Sequence, residues 1–228
     1  MTFRPPIFLA SSPRGFILAA ALIALGATCG RLIIGSGTSW TMLAILASAV
    51  LFGITAADSI HLREYQLSTK RWVRSAALVA LGFSVFLTLA VALVMSLMQR
   101  DNRWYRGYDS FLVIDGSATM LDTNGKMYWV SDSGMDLTTV VLTLLCLFVV
   151  FITAAGVGTV LGGIFGARGR RTGGAVVLGG VVLLALALVV IAALGIQVSA
   201  PYPGVLIFCL PVLVIALGVG SGFLRRAQ

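Results

Sequence analysis

The chain has 228 residues, of which 59% are hydrophobic and 11% are charged, and its mean hydropathy is +1.03. These values exclude an ordinary soluble domain, in which about 25% of the residues are charged. The formal net charge of +8 comes from short basic clusters between long apolar runs. That distribution is typical of membrane-topology signals and argues against nucleic-acid binding.

Six apolar runs are long enough to cross the bilayer, whose hydrocarbon core of roughly 30 Å takes about 20 helical residues. Backbone polar groups in lipid must be satisfied within helices, so each run predicts a transmembrane helix. The predicted spans cover residues 15–34, 41–60, 73–98, 137–167, 175–196 and 205–224. The expected fold class is an all-α polytopic membrane protein, with residues 1–228 forming one transmembrane domain.

The N-terminal residues 1–14 precede a full-length apolar run without a clean cleavage site, which predicts a cytoplasmic tail rather than a removed signal peptide. In the first span, Gly26 and Gly30 form a G-x-x-x-G pair of the kind that allows close helix packing. Arg31 follows near the far end of this span, where its long side chain is expected to reach the lipid headgroups. Trp40 suits a position at the membrane interface.

Residues 59–71 are the most charged stretch at a membrane edge and form a candidate cytoplasmic coupling loop. Apolar side chains alternate there with charged ones, a pattern that fits a short amphipathic helix at the membrane surface. An ordinary basic loop that only sets the topology explains the pattern equally well. The nearby Asp58 is either a membrane-buried carboxylate or an interfacial residue, and His61 is expected to be solvated.

Residues 99–136 form the one long polar loop and are predicted to be extracellular. Asp115-Gly116 and Asn124-Gly125 are favoured two-residue hairpin turns, because these residues tolerate positive φ angles. The flanking β-prone residues predict a three-stranded meander over residues 111–130, lying against the helix ends.

A second glycine stripe, made of Gly158, Gly162 and Gly166, recurs every four residues near the end of the fourth predicted span. Such a stripe lets another backbone approach closely, either within one subunit or across a dimer interface. Arginines at positions 168, 170 and 171 follow it directly. Gly173 and Gly174 are then expected to break the chain before the fifth span.

The distribution of charge predicts the orientation of the chain. With six spans, one side carries eleven of the sixteen basic residues and two of the eight acidic residues, whereas the other side carries five and six. Basic residues accumulate on the cytoplasmic side, so both termini are predicted to be cytoplasmic.

Motifs for catalysis or nucleotide binding are absent from the sequence. It contains no phosphate-binding loop, no H-E-x-x-H motif and no paired intramembrane carboxylates. Cys29, Cys146 and Cys209 are far apart in apolar segments, where they are expected to pack as small apolar residues. We therefore expect no enzyme activity, no cofactor and no metal site, and any transport must draw its energy from another protein.

The segment GVGTVLGGIFGARGRRTGGAVVLGGVVLL, residues 156–184, resembles the connection between the fourth and fifth spans of small bacterial ABC-type-2 (type V) exporter permeases. The resemblance implies a transmembrane subunit that pairs with a second permease subunit, as a homo- or heterodimer, and with separate cytoplasmic ATPase subunits. It also implies a coupling helix in the second-to-third loop that contacts the ATPase. The residues of that helix would be Leu62, Arg63, Glu64, Tyr65, Gln66, Leu67, Ser68 and Thr69.

Three functions remain open at this point. The preferred hypothesis is an ATP-driven exporter of a hydrophobic or amphipathic substrate in a bacterial plasma membrane, to which the bias for arginine over lysine also points. The first alternative is the substrate-binding membrane component of a vitamin-type uptake transporter, whose docking pair would be Ala20 and Ala24. The second is a non-transport scaffold or immunity protein that works through its extracellular meander.

Overall fold

The computed structural model describes residues 6–33, 36–60, 69–102, 105–115, 119–121, 124, 127–129 and 134–193. Its α-helices are α1 (Pro13–Ile33), α2 (Gly37–Ile60), α3 (Thr69–Asp101) and α4 (Leu137–Ala193). Two short 3-10 turns, Ile7–Leu9 and Tyr105–Gly107, precede α1 and follow α3. The strands are β1 (Thr119–Leu121) and β2 (Met127–Trp129).

The described helices have the length and composition of membrane spans. Four segments are long and apolar enough to cross a bilayer, namely Pro13–Ile33, Gly37–Ser59, Lys70–Asp101 and Leu137–Gly166. Large apolar side chains face outward along them, as shown by Leu18, Leu46 and Leu93 with exposed fractions of 64%, 65% and 62%. Helices that are apolar on both their inner and outer faces belong in a membrane, so the fold is that of a helical membrane protein.

The predicted break between the fourth and fifth spans is wrong. Helix α4 has 57 residues and continues through Gly173 and Gly174 to Ala193. A glycine inside a helix costs only about 1 kcal/mol relative to alanine, and Arg170, Arg171 and Ala175 near this pair are good helix formers. The described residues therefore contain four helices of membrane length instead of the predicted series of six, and the sixth predicted span, 205–224, lies outside them.

Other helix boundaries also differ from the prediction. Helix α2 begins at Gly37, four positions before the start of the predicted span 41–60. Helix α3 has 33 residues and extends beyond both ends of the predicted span 73–98. Polar residues at these ends continue the helix because they still make its backbone hydrogen bonds, which an apolar pattern does not reveal.

The first strand of the predicted meander is also wrong. Residues 111–115 form no strand, and Phe111, Leu112 and Val113 are buried. The backbone N–H of Val113 donates to Thr143 Oγ1 in α4 at 3.0 Å, so this segment packs on the helices. Strands β1 and β2 form a two-stranded antiparallel hairpin in which Met120 pairs with Tyr128.

The two ends of the helical bundle are built differently. At one end, here called the Phe8 end, Phe8 stacks on Phe52 with ring centroids 5.8 Å apart and meets the edge of Trp72 at 5.8 Å. Phe52 also contacts Phe16 and Phe83, so aromatic rings join the N-terminal turn with α1, α2 and α3. At the opposite end, here called the Arg31 end, the contacts include buried polar and charged side chains.

Candidate functional site

A buried ion pair lies at the Arg31 end. Arg31 is in the last turn of α1, and its Nη2 atom is 3.5 Å from Oδ2 of Asp109, which follows the 3-10 turn after α3. Both side chains have an exposed fraction of 0%. Two charges withdrawn from water need each other and further hydrogen bonds, so the geometry around this pair decides whether it is stable.

Helix α2 supplies further partners to Arg31. The Nη2 atom donates to the carbonyl oxygen of Gly37 at 3.2 Å and to the hydroxyl of Thr41. A Cβ atom at position 37 would overlap the Asp109 carboxylate and the Tyr105 hydroxyl. Glycine is thus the residue that lets the first turn of α2 approach the ion pair this closely.

Asp109 is fully engaged by the chain around it. The Tyr105 hydroxyl donates to its Oδ2 at 3.0 Å, and the backbone N–H of Phe111 donates to its Oδ1 at 3.2 Å. Burial raises the pKa of Asp109 above its ordinary value, although Arg31 and these two hydrogen bonds act in the opposite direction. Burial and the neighbouring carboxylate also raise the pKa of Tyr105, so its hydroxyl stays protonated and remains a donor.

Arg31 keeps unused hydrogen-bonding capacity. Its Nε and Nη1 atoms are buried and have no hydrogen-bond partner among the described residues. Buried donors without acceptors lose their hydration without compensation, at about 1–3 kcal/mol each. The buried pair therefore contributes little to the stability of the fold, and a role in conformational specificity or in function explains it better.

Weaker hydrogen bonds surround the ion pair and connect the same elements. The backbone N–H of Thr38 donates to the carbonyl oxygen of Tyr108 at 3.0 Å, and the N–H of Ser110 donates to Thr38 Oγ1 at 2.8 Å. The backbone N–H of Arg106 donates to Gln99 Oε1 at 3.0 Å. Together these contacts join the α1–α2 corner to the segment that follows α3.

The sequence prediction for Arg31 is therefore wrong. Its side chain does not extend to the lipid headgroups but points inward, toward Asp109, which is far away in the sequence. An arginine inside an apolar run was the available signal, because an ionisable residue in a membrane helix usually faces the protein interior and has a partner there. The identity of that partner depends on the tertiary fold.

Of the eight predicted coupling residues, the structure describes only Thr69, at the Phe8 end. Residues 62–68 lie outside the described residues, and Thr69 is the first residue of α3. The helix ends on either side of this loop are in contact, because Trp72 Nε1 donates to Ser59 Oγ at 2.9 Å in a buried position. Asp58, which the sequence left open as either a membrane-buried carboxylate or an interfacial residue, is exposed on the last turn of α2.

The predicted helix-packing glycines have different surroundings. A Cβ atom at Gly158 would overlap the backbone carbonyl of Ala49, and one at Gly162 would overlap that of Gly53, so both glycines lie directly against α2. Gly30 lies against the indole ring of Trp40, whereas a Cβ atom at Gly26 would have nothing within 4 Å.

Gly166 is partly exposed on α4. The close contacts of Gly158 and Gly162 are all made within the chain, which is one of the two roles that the sequence left open for the stripe.

Side chains that could bind a metal ion are not clustered in the described part of the chain. The described residues contain no group of three or more His, Cys, Asp or Glu side chains that could hold a metal ion. Comparison with known proteins finds no matching family model, curated protein or solved structure. The class is thus defined by the fold alone, as a helical membrane protein with a buried ion pair at one end of its bundle.

Proposed function

We propose that this chain is the transmembrane permease subunit of a bacterial ATP-driven exporter in the plasma membrane. Separate cytoplasmic ATPase subunits would supply the energy, and the substrate would be hydrophobic or amphipathic. The Phe8 end would face the cytoplasm together with both termini. In this arrangement the loop between α2 and α3 would transmit the movement of the ATPase.

The observation that supports this proposal most is the junction between α2 and α3. The Trp72–Ser59 hydrogen bond, at 2.9 Å, ties the last turn of α2 to the first turn of α3. Phe8 packs on Trp72 and also donates its backbone N–H to Ser75 Oγ at 3.0 Å. Because these bonds join the adjacent ends of α2 and α3, a movement of the connecting loop would reach both helices together.

The same proposal includes a second permease subunit. Because Gly158 and Gly162 are occupied by α2 of the same chain, they leave no room for another helix. A second subunit would therefore associate through one of the exposed apolar helix faces.

Affinity capture of the full chain from native membranes in a mild detergent tests the proposal. We expect an ATPase with a phosphate-binding loop to be recovered, and to be lost when residues 62–69 are replaced by a Gly-Ser linker of equal length. The matched control replaces the hairpin residues 119–129 in the same way and should retain the ATPase. A well-folded preparation that recovers no ATPase would count against the proposal.

One observation favours the alternative of a substrate-binding component for vitamin-type uptake. The buried Nε and Nη1 atoms of Arg31 are donors of the kind that a ligand carboxylate accepts from. A small carboxylate that stays bound through purification and is lost in an Arg31→Gln variant would support uptake. A preparation free of such a ligand leaves the exporter as the better proposal.

A further inference from the structure

Four exposed basic side chains lie in the opening turns of α1 and α3 at the Phe8 end. This basic surface is formed by Arg14, Lys70, Arg71 and Arg74. The turn that precedes α1 lies near the cations of α3, because the backbone N–H of Phe8 donates to Ser75 Oγ at 3.0 Å. Helices α1 and α3 contact each other deeper in the bundle, where the ring centroids of Phe16 and Phe83 are 6.3 Å apart. Arg14 of α1 and the three cations of α3 thus belong to helices that start at the same end of the bundle.

Helix stability does not explain these positions. The N-terminus of a helix carries the positive end of its dipole, so a cation in the first turn is unfavourable there. Neither α1 nor α3 has an acidic residue in its first turn. Among the described residues, none of the four basic side chains forms an ion pair, so no described carboxylate is paired with them to offset their mutual repulsion.

The surroundings of the basic surface match a phospholipid. The apolar spans begin at Pro13 and Lys70, so these cations lie at the depth of the headgroup layer. Val73, between Arg71 and Arg74 on α3, and Leu78, one turn further into the span, have exposed fractions of 41% and 60%, where acyl chains would pass. Guanidinium groups bind phosphate in a forked geometry, and basic residues beside a membrane span attract anionic lipids.

We propose that the basic surface binds the headgroups of anionic phospholipids. Phosphates there would neutralise the four cations and complement the opening turns of both helices, while the lipid tails cover the exposed apolar residues below. An acidic protein would satisfy the charges but would leave those apolar residues to other molecules. This proposal does not depend on the exporter function, because it requires only that the chain lies in a membrane.

The test uses the purified full chain in nanodiscs of equimolar phosphatidylglycerol and phosphatidylcholine, from which bound lipids are counted by native mass spectrometry. We expect the wild type to retain phosphatidylglycerol preferentially. The Lys70→Gln/Arg71→Gln/Arg74→Gln variant should reduce this preference at least about tenfold, since each cation near an anionic surface contributes a factor of roughly five. The matched control, Arg100→Gln, removes an exposed cation at the Arg31 end and should leave the preference unchanged.

A charge-conserving variant, Arg71→Lys/Arg74→Lys, keeps the test decisive if the triple variant does not fold. It should retain the preference, and high salt should weaken the preference in the wild type. The proposal is overturned if the wild type shows no preference for phosphatidylglycerol. It is also overturned if the triple variant retains the lipid as the wild type does, because a general attraction to the whole protein would then be the cause.

Discussion

Gly37 is a position at the Arg31 end that has no room for a side chain. A Cβ atom there would overlap both the Asp109 carboxylate and the Tyr105 hydroxyl, so Gly37→Ala must displace these buried groups or push α2 away from them. We expect this substitution to lower the free energy of unfolding by about 1–3 kcal/mol, the usual cost of overpacking. Denaturant titration in detergent micelles measures the change.

The matched control for this prediction is Gly26→Ala, also at a helical glycine, because nothing lies within 4 Å of a Cβ atom at that position. Alanine is the better helix former by about 1 kcal/mol, so the control should be neutral or slightly stabilising. Equal destabilisation by the two substitutions would contradict the contacts assigned to Gly37.

Asp109 gives the protein an unusual pH dependence. Its folded pKa is raised by burial, so the folded chain binds this proton more tightly than the unfolded chain does. The stability that the group contributes is fully present below its ordinary pKa of 3.8 and is lost as the pH rises through the raised folded value. The Tm of Asp109→Asn minus the Tm of the wild type should therefore increase as the pH rises above about 4. Thermal unfolding at several pH values measures this difference.

Asp136 should have the opposite effect. It precedes α4, and its Oδ1 accepts from the backbone N–H of Thr139 at 2.7 Å, which lowers the pKa of the carboxyl. Stability from this group is present above its ordinary pKa and is lost as the pH falls through the lowered folded value. Asparagine caps a helix without titrating, so only the wild type loses stability at low pH. The Tm of Asp136→Asn minus the Tm of the wild type should therefore increase as the pH falls below about 4. A pH-independent difference would show that the cap is absent.

At the scale of elements, the closest helix contact is between α2 and α4. Gly162 faces the backbone carbonyl of Gly53, and Gly158 faces that of Ala49, so a methyl group at either position would separate the helices. We expect Gly162→Ala to lower the free energy of unfolding by about 1–3 kcal/mol. Gly82→Ala on α3 is the control, because a Cβ atom there has nothing within 4 Å. A similar loss in both variants would show that this contact is not responsible, because alanine is the better helix former at both positions.

The apolar runs predicted where the four described spans lie, because length and hydropathy alone decide whether a helix can cross a bilayer. They did not predict where the helices end. The pair Gly173 and Gly174 predicts a break, but a glycine pair interrupts a helix only when its surroundings offer another structure. Residues 111–113 have the β-prone composition of a strand, yet they are buried without strand pairing and contact α4 through Thr143.

The candidate site was less predictable than the fold. Arg31 was visible as a charge inside an apolar run, but its partner Asp109 lies in a polar loop that contains several other acidic residues. Tertiary contact alone distinguishes Asp109 from those residues. Gly37 lies between two predicted spans and has no recognisable role in the sequence. A side chain is excluded there only because Tyr105 and Asp109 lie beside it in the fold.

At the scale of the whole molecule, the two ends of the bundle differ in charge. The exposed charges described at the Phe8 end are the four cations of the basic surface and Asp58. At the Arg31 end, the described acidic residues are Asp101, Asp109, Asp115 and Asp136, and the described basic residues are Arg31, Arg100 and Arg106. Because basic residues accumulate on the cytoplasmic side, this contrast predicts that the Phe8 end faces the cytoplasm.

Cysteine labelling in intact cells tests this orientation. Cys29, Cys146 and Cys209 are first replaced by alanine, and a single cysteine is then placed at Ser11 near the Phe8 end or at Ser110 near the Arg31 end, both exposed positions. A membrane-impermeant maleimide should label position 110 in intact cells and position 11 only after permeabilisation. Labelling in the reverse pattern would place the basic surface outside the cell. The α2–α3 loop would then be out of reach of any cytoplasmic ATPase, and the proposed energy source would be lost with it.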